Sequence, residues 1–592
     1  MAARATPSEL VHVLWIKPSH YDDDGYVIQW WRSSLPANSL ATVYGIALDC
    51  AQRWVLGPGV EIRVRALDET NSRVDPNRLM RELTSSGGRV LVGLVGVQSN
   101  QYPRALDLAR RFRALGAAVA IGGFHVSGSL AMLKERPVEL QEALDLGITL
   151  FAGELEGRLE ELLADLVGAG LKPLYNYLLD LPDMTGTPTP ILPADRIRLT
   201  LGRRASFDAG RGCPYQCSFC TIINVQGRKS RHRDADDVER LVRANWAQGI
   251  TNFFITDDNF ARNTQWEAIF DRLIALQDRG IVLQLVIQAD TQSHRIPRFI
   301  EKAAAAGVTR IFMGMESINP DALQGAQKGQ NKITDYRAML QAWHSAGVLT
   351  YAGYILGFPN DTPESIRRDL AIIQRELPID ILEFFVLTPL PGSVDHQRLV
   401  ESGARLDPDM NNYDTQHVTT DHPRMSAAEW MGIYREAWDL YYSPAHLATV
   451  LRRCRVWGYS PKHMASKLFA FHGPVVFEHI HPLESGVIRI KRRRDRRPGR
   501  PIEHPLVFYP KLAFEFIGKL VTAYTMHRRY QRILALVLAE SADGYTDTAM
   551  APVDAGADAT LELFTATAAA RAYVEKRRAQ GQRRGVVAPA LP

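Results

Sequence analysis

The sequence predicts an α/β protein in which two successive runs of alternating strands and helices are followed by a helical extension. Three observations carry this. Short stretches rich in Val, Ile and Leu alternate with amphipathic, Gly-terminated ones up to about residue 170; the alternation resumes after residue 250; and from 425 apolar residues recur at helical spacing. With 46% hydrophobic and 9% aromatic residues the chain has the composition of a folded globular protein. A length of 592 residues suggests about three or four domains.

In the first run VHVLWI (11–16), VEIRVRAL (60–67), VLVGLVGV (90–97), AAVAIGG (117–123) and ITLFAG (148–153) read as strands. PRALDLARRFRALG (103–116) and EGRLEELLADLVGAG (156–170) read as helices ending in Gly. Strict alternation implies a parallel sheet covered on both faces, a doubly wound, Rossmann-like domain over 10–175. Ligands of such sheets lie beyond the carboxyl ends of the strands. Those ends read QSN, GGFHVSG and AGELEG, so Gly122, Gly123 and Gly153 let a ligand approach the backbone while Ser99, His125 and Glu154 offer polar contacts. The same glycines equally suit ordinary turns. No GxGxxG follows the first strand, which counts against a dinucleotide site.

GRGCPYQCSFC (210–220) then places Cys213, Cys217 and Cys220 together in a chain with five cysteines. The odd count, with Cys50 and Cys454 far away in sequence, argues against a disulfide framework. Structural zinc would need a fourth ligand, for which His232 is the nearest candidate, and favours two separated pairs. An iron–sulfur cluster held by only three thiolates keeps one iron open for a substrate.

The C-x3-C-x2-C spacing, with Phe219 just before the last cysteine, resembles the signature of the radical S-adenosylmethionine (SAM) superfamily. The resemblance implies that the three cysteines hold a [4Fe-4S] cluster whose open iron binds SAM. One electron then cleaves SAM to methionine and a 5'-deoxyadenosyl radical. It also implies a partial (β/α)6 barrel over 199–425. The segments ITNFFITDDNF (250–260), IVLQLVIQAD (281–290), VTRIFMGMES (308–317), VLTYAGYILGFP (348–359) and DILEFFVLTPLPG (380–392) supply its strands.

In this resemblance Phe219 packs near the adenine, and Asp257, Asp258 and Asn259 stand where the family holds the SAM amino group. Many members carry Gly-Gly-Glu there, but a carboxylate pair still accepts hydrogen bonds from an ammonium. Gln288, Asp290, Glu316 and Ser317 match positions lining the ribose and methionine, Gly353 opens a glycine-containing segment near the adenine, and Thr388 ends the last strand. Taken singly, each of these polar residues could equally cap its strand.

A doubly wound domain just before such a core, with GGFH and GELEG at its strand ends, is similar to the cobalamin-binding branch, over about 10–425. That branch includes hopanoid methylases and the magnesium-protoporphyrin cyclase type. It implies cobalamin at Ser99, Gly122, Gly123, His125, Gly153 and Glu154, and methylation of an unactivated carbon in an apolar or lipid substrate. The DxHxxG motif of other cobalamin proteins is missing, with Gly123 where its Asp would stand. The rival enzyme reading is cobalamin-free cyclisation or carbon–carbon coupling. Another class, an iron–sulfur redox sensor or nucleic-acid-binding protein, would have no need of a SAM pocket. A methylthiotransferase needs a second cluster in the amino-terminal domain, where Cys50 is the sole cysteine.

From 426 to 540 a helical cap is expected, interrupted by IRIKRRRDRRPGR (488–500), which has eight basic residues against one Asp. A solvated loop, peripheral contact with an anionic membrane and nucleic-acid binding compete for it. The last is disfavoured because no nucleic-acid module accompanies the charge. His472, His479 and His481 lack a ligand spacing. The segment 541–592 reads as a disordered tail. MAARATPSEL has no apolar signal segment and no run of about 18 apolar residues occurs, so a cytoplasmic protein is expected, in contact at most with the inner membrane face. A small-molecule or lipid substrate and an electron donor of flavodoxin or ferredoxin type complete the expected partners.

Overall fold

The computed structural model describes residues 9–541, 544–554 and 557–583. Its amino-terminal sheet holds β1 (Glu9–Lys17), β2 (Val60–Asp68), β3 (Arg89–Leu94), β4 (Ala118–Gly122), β5 (Thr149–Ala152) and β6 (Leu174–Asn176). The strands are all parallel in the order β2-β1-β3-β4-β5-β6. Starting in the middle and winding both ways puts helices on both faces. One face buries Leu14, Val92 and Phe112, and the other buries Val13, Ile46 and Leu163. The switch in strand order lies between β1 and β3, where the carboxyl ends open a crevice.

The second sheet is also six-stranded and parallel: β7 (Arg204–Phe207), β8 (Asn252–Ile255), β9 (Gln284–Gln288), β10 (Val308–Glu316), β11 (Leu349–Leu356) and β12 (Ile381–Val386). Its strands stand in chain order, so each crossover joins neighbours and the sheet curves into a partial barrel. Helices such as Trp266–Asp278 and Pro363–Glu376 cover its outside, and Phe207, Leu285, Ile311 and Phe384 lie in its core. The architecture is thus the predicted one, a doubly wound sheet, a partial barrel and a helical extension.

The units meet through glycines. A Cβ on Gly128 would stand 2.5 Å from the carbonyl oxygen of Pro391, so the helix Phe124–Met132 can rest on the loop after β12 only because that position has no side chain. Gly357, at φ +106°, likewise leaves room for the Trp430 indole of the carboxyl-terminal extension, whose Nε1 donates to the Leu356 carbonyl at 2.9 Å.

Two expectations for the carboxyl-terminal third are corrected. The basic segment is a strap rather than a free loop. Gly486–Arg489 pairs antiparallel with Trp30–Ser33. Arg489 donates to Asp22 and Lys491 to Glu515, Arg497 holds Asp409 at 2.5 and 2.9 Å, and Arg496 stands 3.9 Å from Glu503, so half of the eight basic residues are paired with acids within the protein. The segment after 540 is not a disordered tail over its described residues. Leu561, Leu563, Phe564, Ala570 and Val574 are buried in the barrel core, and the backbone N–H groups of Glu562 and Leu563 donate to the Glu376 carboxylate at 3.0 and 2.8 Å. The end of the predicted tail, 584–592, lies outside the described residues.

Candidate active site

The cysteine loop leaves β7 through Gly210–Arg211, which pairs with Arg231–His232. Gly212 turns it at φ +87°, where a Cβ would meet the Lys229 carbonyl at 2.5 Å. Asp257 and Asp258, at the end of β8, staple this loop. The Asp257 carboxylate accepts from Ala209 N–H at 2.7 Å, and the Asp258 carboxylate from Gly212 N–H at 3.1 Å. Burial pushes both carboxyls up to about 7. Asp290 holds the loop from β9: it accepts from Tyr215 OH at 3.1 Å, from Asn259 at 2.9 Å and from Arg262 at 2.5 and 2.9 Å. Burial opposes its charge, yet Arg262 keeps its carboxyl below the usual range.

The donor set fits a cluster better than a single ion. Among the described residues no three His, Cys, Asp or Glu side chains converge closely enough to hold one metal ion, His232 included. In a four-iron cluster, iron and sulfide lie between the cysteines, so the thiolates need not converge. Burial pushes the Cys213 thiol up and Cys220 up to about 12, so thiolates here call for compensating positive charge. The surroundings supply donors: Gln330 Nε2 lies 3.4 Å from Cys217 Sγ, and buried Lys328 stands 5.6 Å above the Phe219 ring. Burial works against the Lys328 charge, but Glu316 and then Cys217 hold it above the ordinary lysine range.

The other barrel positions are distributed as follows. Gln288 Nε2 reaches the Asp257 carbonyl at 3.4 Å. The Glu316 carboxylate is bound to Lys328, and its backbone is left-handed at φ +62°, a strained position for a residue with a side chain. Ser317 accepts from Asn319 N–H at 3.0 Å, and Thr388 donates to the Val386 carbonyl at 3.0 Å. A Cβ on Gly353 would lie 3.0 and 3.2 Å from the Phe312 and Phe385 rings. Most of these polar groups therefore brace one another and the cysteine loop, and of the barrel positions expected to bind SAM, Asp258 lines the main cavity.

That cavity, about 680 Å³, lies between the carboxyl ends of the two sheets. Gly122, Gly123, Gly153 and Glu154 line it from the first sheet, and Arg211 and Asp258 from the second. Gly123 sits at φ +147°, and a Cβ there would be 2.1 Å from Val97 N, so bare backbone faces the space. Ser99 and His125, expected near cobalamin, stand behind its wall rather than on it. His125 is fully buried behind the glycine turn. Its Nδ1 lies 3.2 Å from Ser99 Oγ and its Nε2 3.4 Å from Glu139, with the ring packed on Tyr102.

Glu154 lines the cavity with its carboxylate held by protein cations. Arg211 Nη1 donates to it at 2.6 Å, and Arg231 is bound to it as well. Arg211 also reaches Glu156 at 2.6 Å and Asp208 at 2.5 Å, tying the glutamate turn after β5 to the cysteine loop. Burial disfavours the Arg211 charge, but Asp208, Glu156 and Glu154 together hold it well above its usual value.

Sequence reasoning missed the lid of the cavity. Tyr413, Asp414, His20, His481 and Glu484 line it from segments far apart in the chain. His20 Nε2 lies 3.2 Å from Glu484, which accepts from Asn100 at 2.8 Å. Despite its burial, Glu484 holds His20 above the ordinary histidine range, whereas burial pushes His481 down to about 4. Of the three histidines noted in sequence, His481 alone lines the cavity, and His472 faces Tyr530.

Comparison with known proteins agrees with this geometry. Residues 209–373 match the family described as the radical SAM superfamily. Bacteriochlorophyllide d C-12(1)-methyltransferase of Chlorobaculum tepidum is 27% identical over 323 residues, 53% of this chain and 66% of that protein. Hopanoid C-2 methylase of Rhodopseudomonas palustris is 28% identical over 50% of this chain and 56% of its own length. The chain thus spans just under two thirds of the first relative and little more than half of the second. The solved structure of the radical SAM methyltransferase TsrM from Kitasatospora setae, with cobalamin and a [4Fe-4S] cluster bound, superimposes with a TM-score of 0.55. It is 17% identical, over 74% of this chain and 90% of that one, and the likeness is one of fold.

Proposed function

We propose, for a chain that carries a radical SAM domain and is an enzyme of that superfamily, cobalamin-dependent methylation of an unactivated carbon in an apolar small-molecule or lipid substrate. The observation that carries this reading is the single cavity shared by the cysteine loop side of the barrel and the bare glycine turns of the first sheet. Curated relatives of this chain are named as methyltransferases, which supports it.

Cys213, Cys217 and Cys220 are the residues that would hold the cluster, with Asp258 and Phe219 on the SAM side and Gly122, Gly123 and Gly153 against cobalamin. The bound groups supply radical chemistry and a transferable methyl; an external one-electron donor of flavodoxin or ferredoxin type reduces the site. The protein's own work is placement. Asp257, Asp258 and Asp290 fix the cysteine loop on the barrel, and Gln330 donates to the Cys217 sulfur. Arg211 locks the loop to the first sheet, and the His481–Ser485 lid keeps bulk water from the space between the sheets. His125 is withdrawn from the cavity, so this reading assigns cobalamin no imidazole ligand from that turn.

The test is metal content in protein purified anaerobically from cobalamin-supplied cells, together with assay for 5'-deoxyadenosine. The expected result is about four irons and about one cobalt per chain with SAM cleavage. The same iron without cobalt would overturn methylation through cobalamin and favour ring closure or carbon–carbon coupling on an empty first domain.

A further inference from the structure

The helix Pro505–Ala539 is amphipathic in the inverted sense over its first twenty or so residues. Glu515 and Lys519 face the protein: Glu515 accepts from Lys491 at 3.1 Å and from Lys519 at 2.6 Å, and Lys519 also donates to Glu478 at 2.6 Å. Phe508 and Met526 lie buried on this same side, at heptad-like distances from Glu515 and Lys519. The outward side is apolar. Leu506 is 80% exposed and Phe514 76%, with Tyr509, Ile517, Val521 and Tyr524 all more than half exposed, and from Phe514 to Tyr524 they recur at spacings of three and four residues. A contiguous patch of this kind on a soluble surface marks a binding face.

The charge around the patch selects the occupant. Glu515 is the one acid in the whole helix and it is turned inward. Lys511, near the start of the patch, and Arg528, Arg529 and Arg532, just past its end, are exposed, and the three arginines have no acidic partner among the described residues. A second copy of the chain seated on this face would bring a second set of the same cations against it. An anionic lipid surface instead takes up the apolar side chains and neutralises the arginines. No helix among the described residues is long and apolar enough to cross a membrane.

We propose that the outward face of Pro505–Tyr524 inserts into the interface of an anionic phospholipid membrane, with Arg528, Arg529 and Arg532 at the headgroups. The contact is made by this helix and not by the 488–500 strap, and it stands independently of the reaction proposed above.

The test uses the full chain, sedimented with vesicles of phosphatidylcholine alone or mixed with phosphatidylglycerol, at low and high salt. The expected result is about tenfold greater binding to the anionic vesicles, weakened by salt. It should be lost in Phe514→Glu/Ile517→Glu and reduced in Arg528→Glu/Arg529→Glu, with iron content and far-ultraviolet circular dichroism unchanged in both. Binding that survives the apolar double variant would overturn the proposal. So would a dimer in light scattering that this variant converts to monomer while neither protein binds vesicles.

Discussion

The two parallel sheets aim their carboxyl ends at one cavity and end in opposite chemistry. The barrel ends in carboxylates, Asp257, Asp258, Asp290 and Glu316, nearly all committed to backbone N–H groups or to cations. The first sheet ends in glycines, and where it does carry carboxylates, at Glu154 and Glu156, they are paired across the gap with Arg211. A charged network suits a loop that must stay fixed while electrons and charged groups come and go. Bare backbone suits a broad ligand held mainly by contact. The same topology thus yields two kinds of site, and the strand ends, not the strands, decide which.

The comparison is broken most sharply on the barrel side. Cys217→Ala should lower 5'-deoxyadenosine formation about 1,000-fold or more, and reduce bound iron, while leaving the first sheet intact. SAM cleavage that persisted would remove the cluster from the account.

Next in size is the tie between the regions. Arg211→Ala leaves three buried carboxylates facing one another and should cost about 3–5 kcal/mol, read as a lower denaturation midpoint. Arg211→Lys should recover part of this, since a lysine restores the charge without the fork that reaches Glu154, Glu156 and Asp208 together. Equal stability in all three proteins would mean that the sheets are held by apolar contact alone.

On the glycine side, Gly122→Val places a Cβ about at the limit of contact with the Phe151 carbonyl and fills part of the cavity. Cobalt retention should fall about tenfold, equivalent to about 1.4 kcal/mol, with iron and SAM cleavage unchanged. Loss of iron with cobalt would merge the two sites into one.

The smallest effect concerns Glu383 on β12, buried with one carboxylate oxygen unpartnered. Burial, with Glu316 adding to it, pushes its carboxyl up to about 8. A carboxyl raised in the folded state contributes stability that is fully present below its ordinary value and lost as pH rises toward 8. Glu383→Gln should therefore gain on the parent by about 1 kcal/mol per pH unit between pH 6 and 7, measured as denaturation midpoints. A constant gap across that range would show the group already paired.

Much of this was legible in the sequence, for stated reasons. Ten of the twelve strands in the two six-stranded sheets coincide with the Val- and Ile-rich runs because buried parallel strands are largely apolar. The two missed were Arg204–Phe207 and Leu174–Asn176, short strands at the sheet edges with too few residues to show a pattern. The cysteine triplet was readable because its meaning lies in local spacing. The roles of the strand-end carboxylates were less so: sequence shows that Asp290 and Glu316 end strands, and the structure shows Arg262 and Lys328 occupying them. The place of His125 behind the glycine turn was not readable, because a turn sequence does not say on which side of the turn a side chain is buried. Contacts between distant segments were unreadable in principle. Nothing local in 488–500 announces Asp22 and Asp409 as partners, and Ala- and Asp-rich composition after 540 concealed Leu561 and Phe564, which pack against the helices outside the barrel.

The strap that pairs Gly486–Arg489 with Trp30–Ser33 also orders events in time. Both sheets are complete in the nascent chain before residues 481–485, which form part of the cavity wall, have been made. At ribosomal rates of about 5–20 residues per second, the interval between the end of the barrel and the closing strand is several seconds at least. During that interval the two halves of the cavity can form with one wall open. A bulky prosthetic group entering then would meet a wider mouth than the finished chain offers.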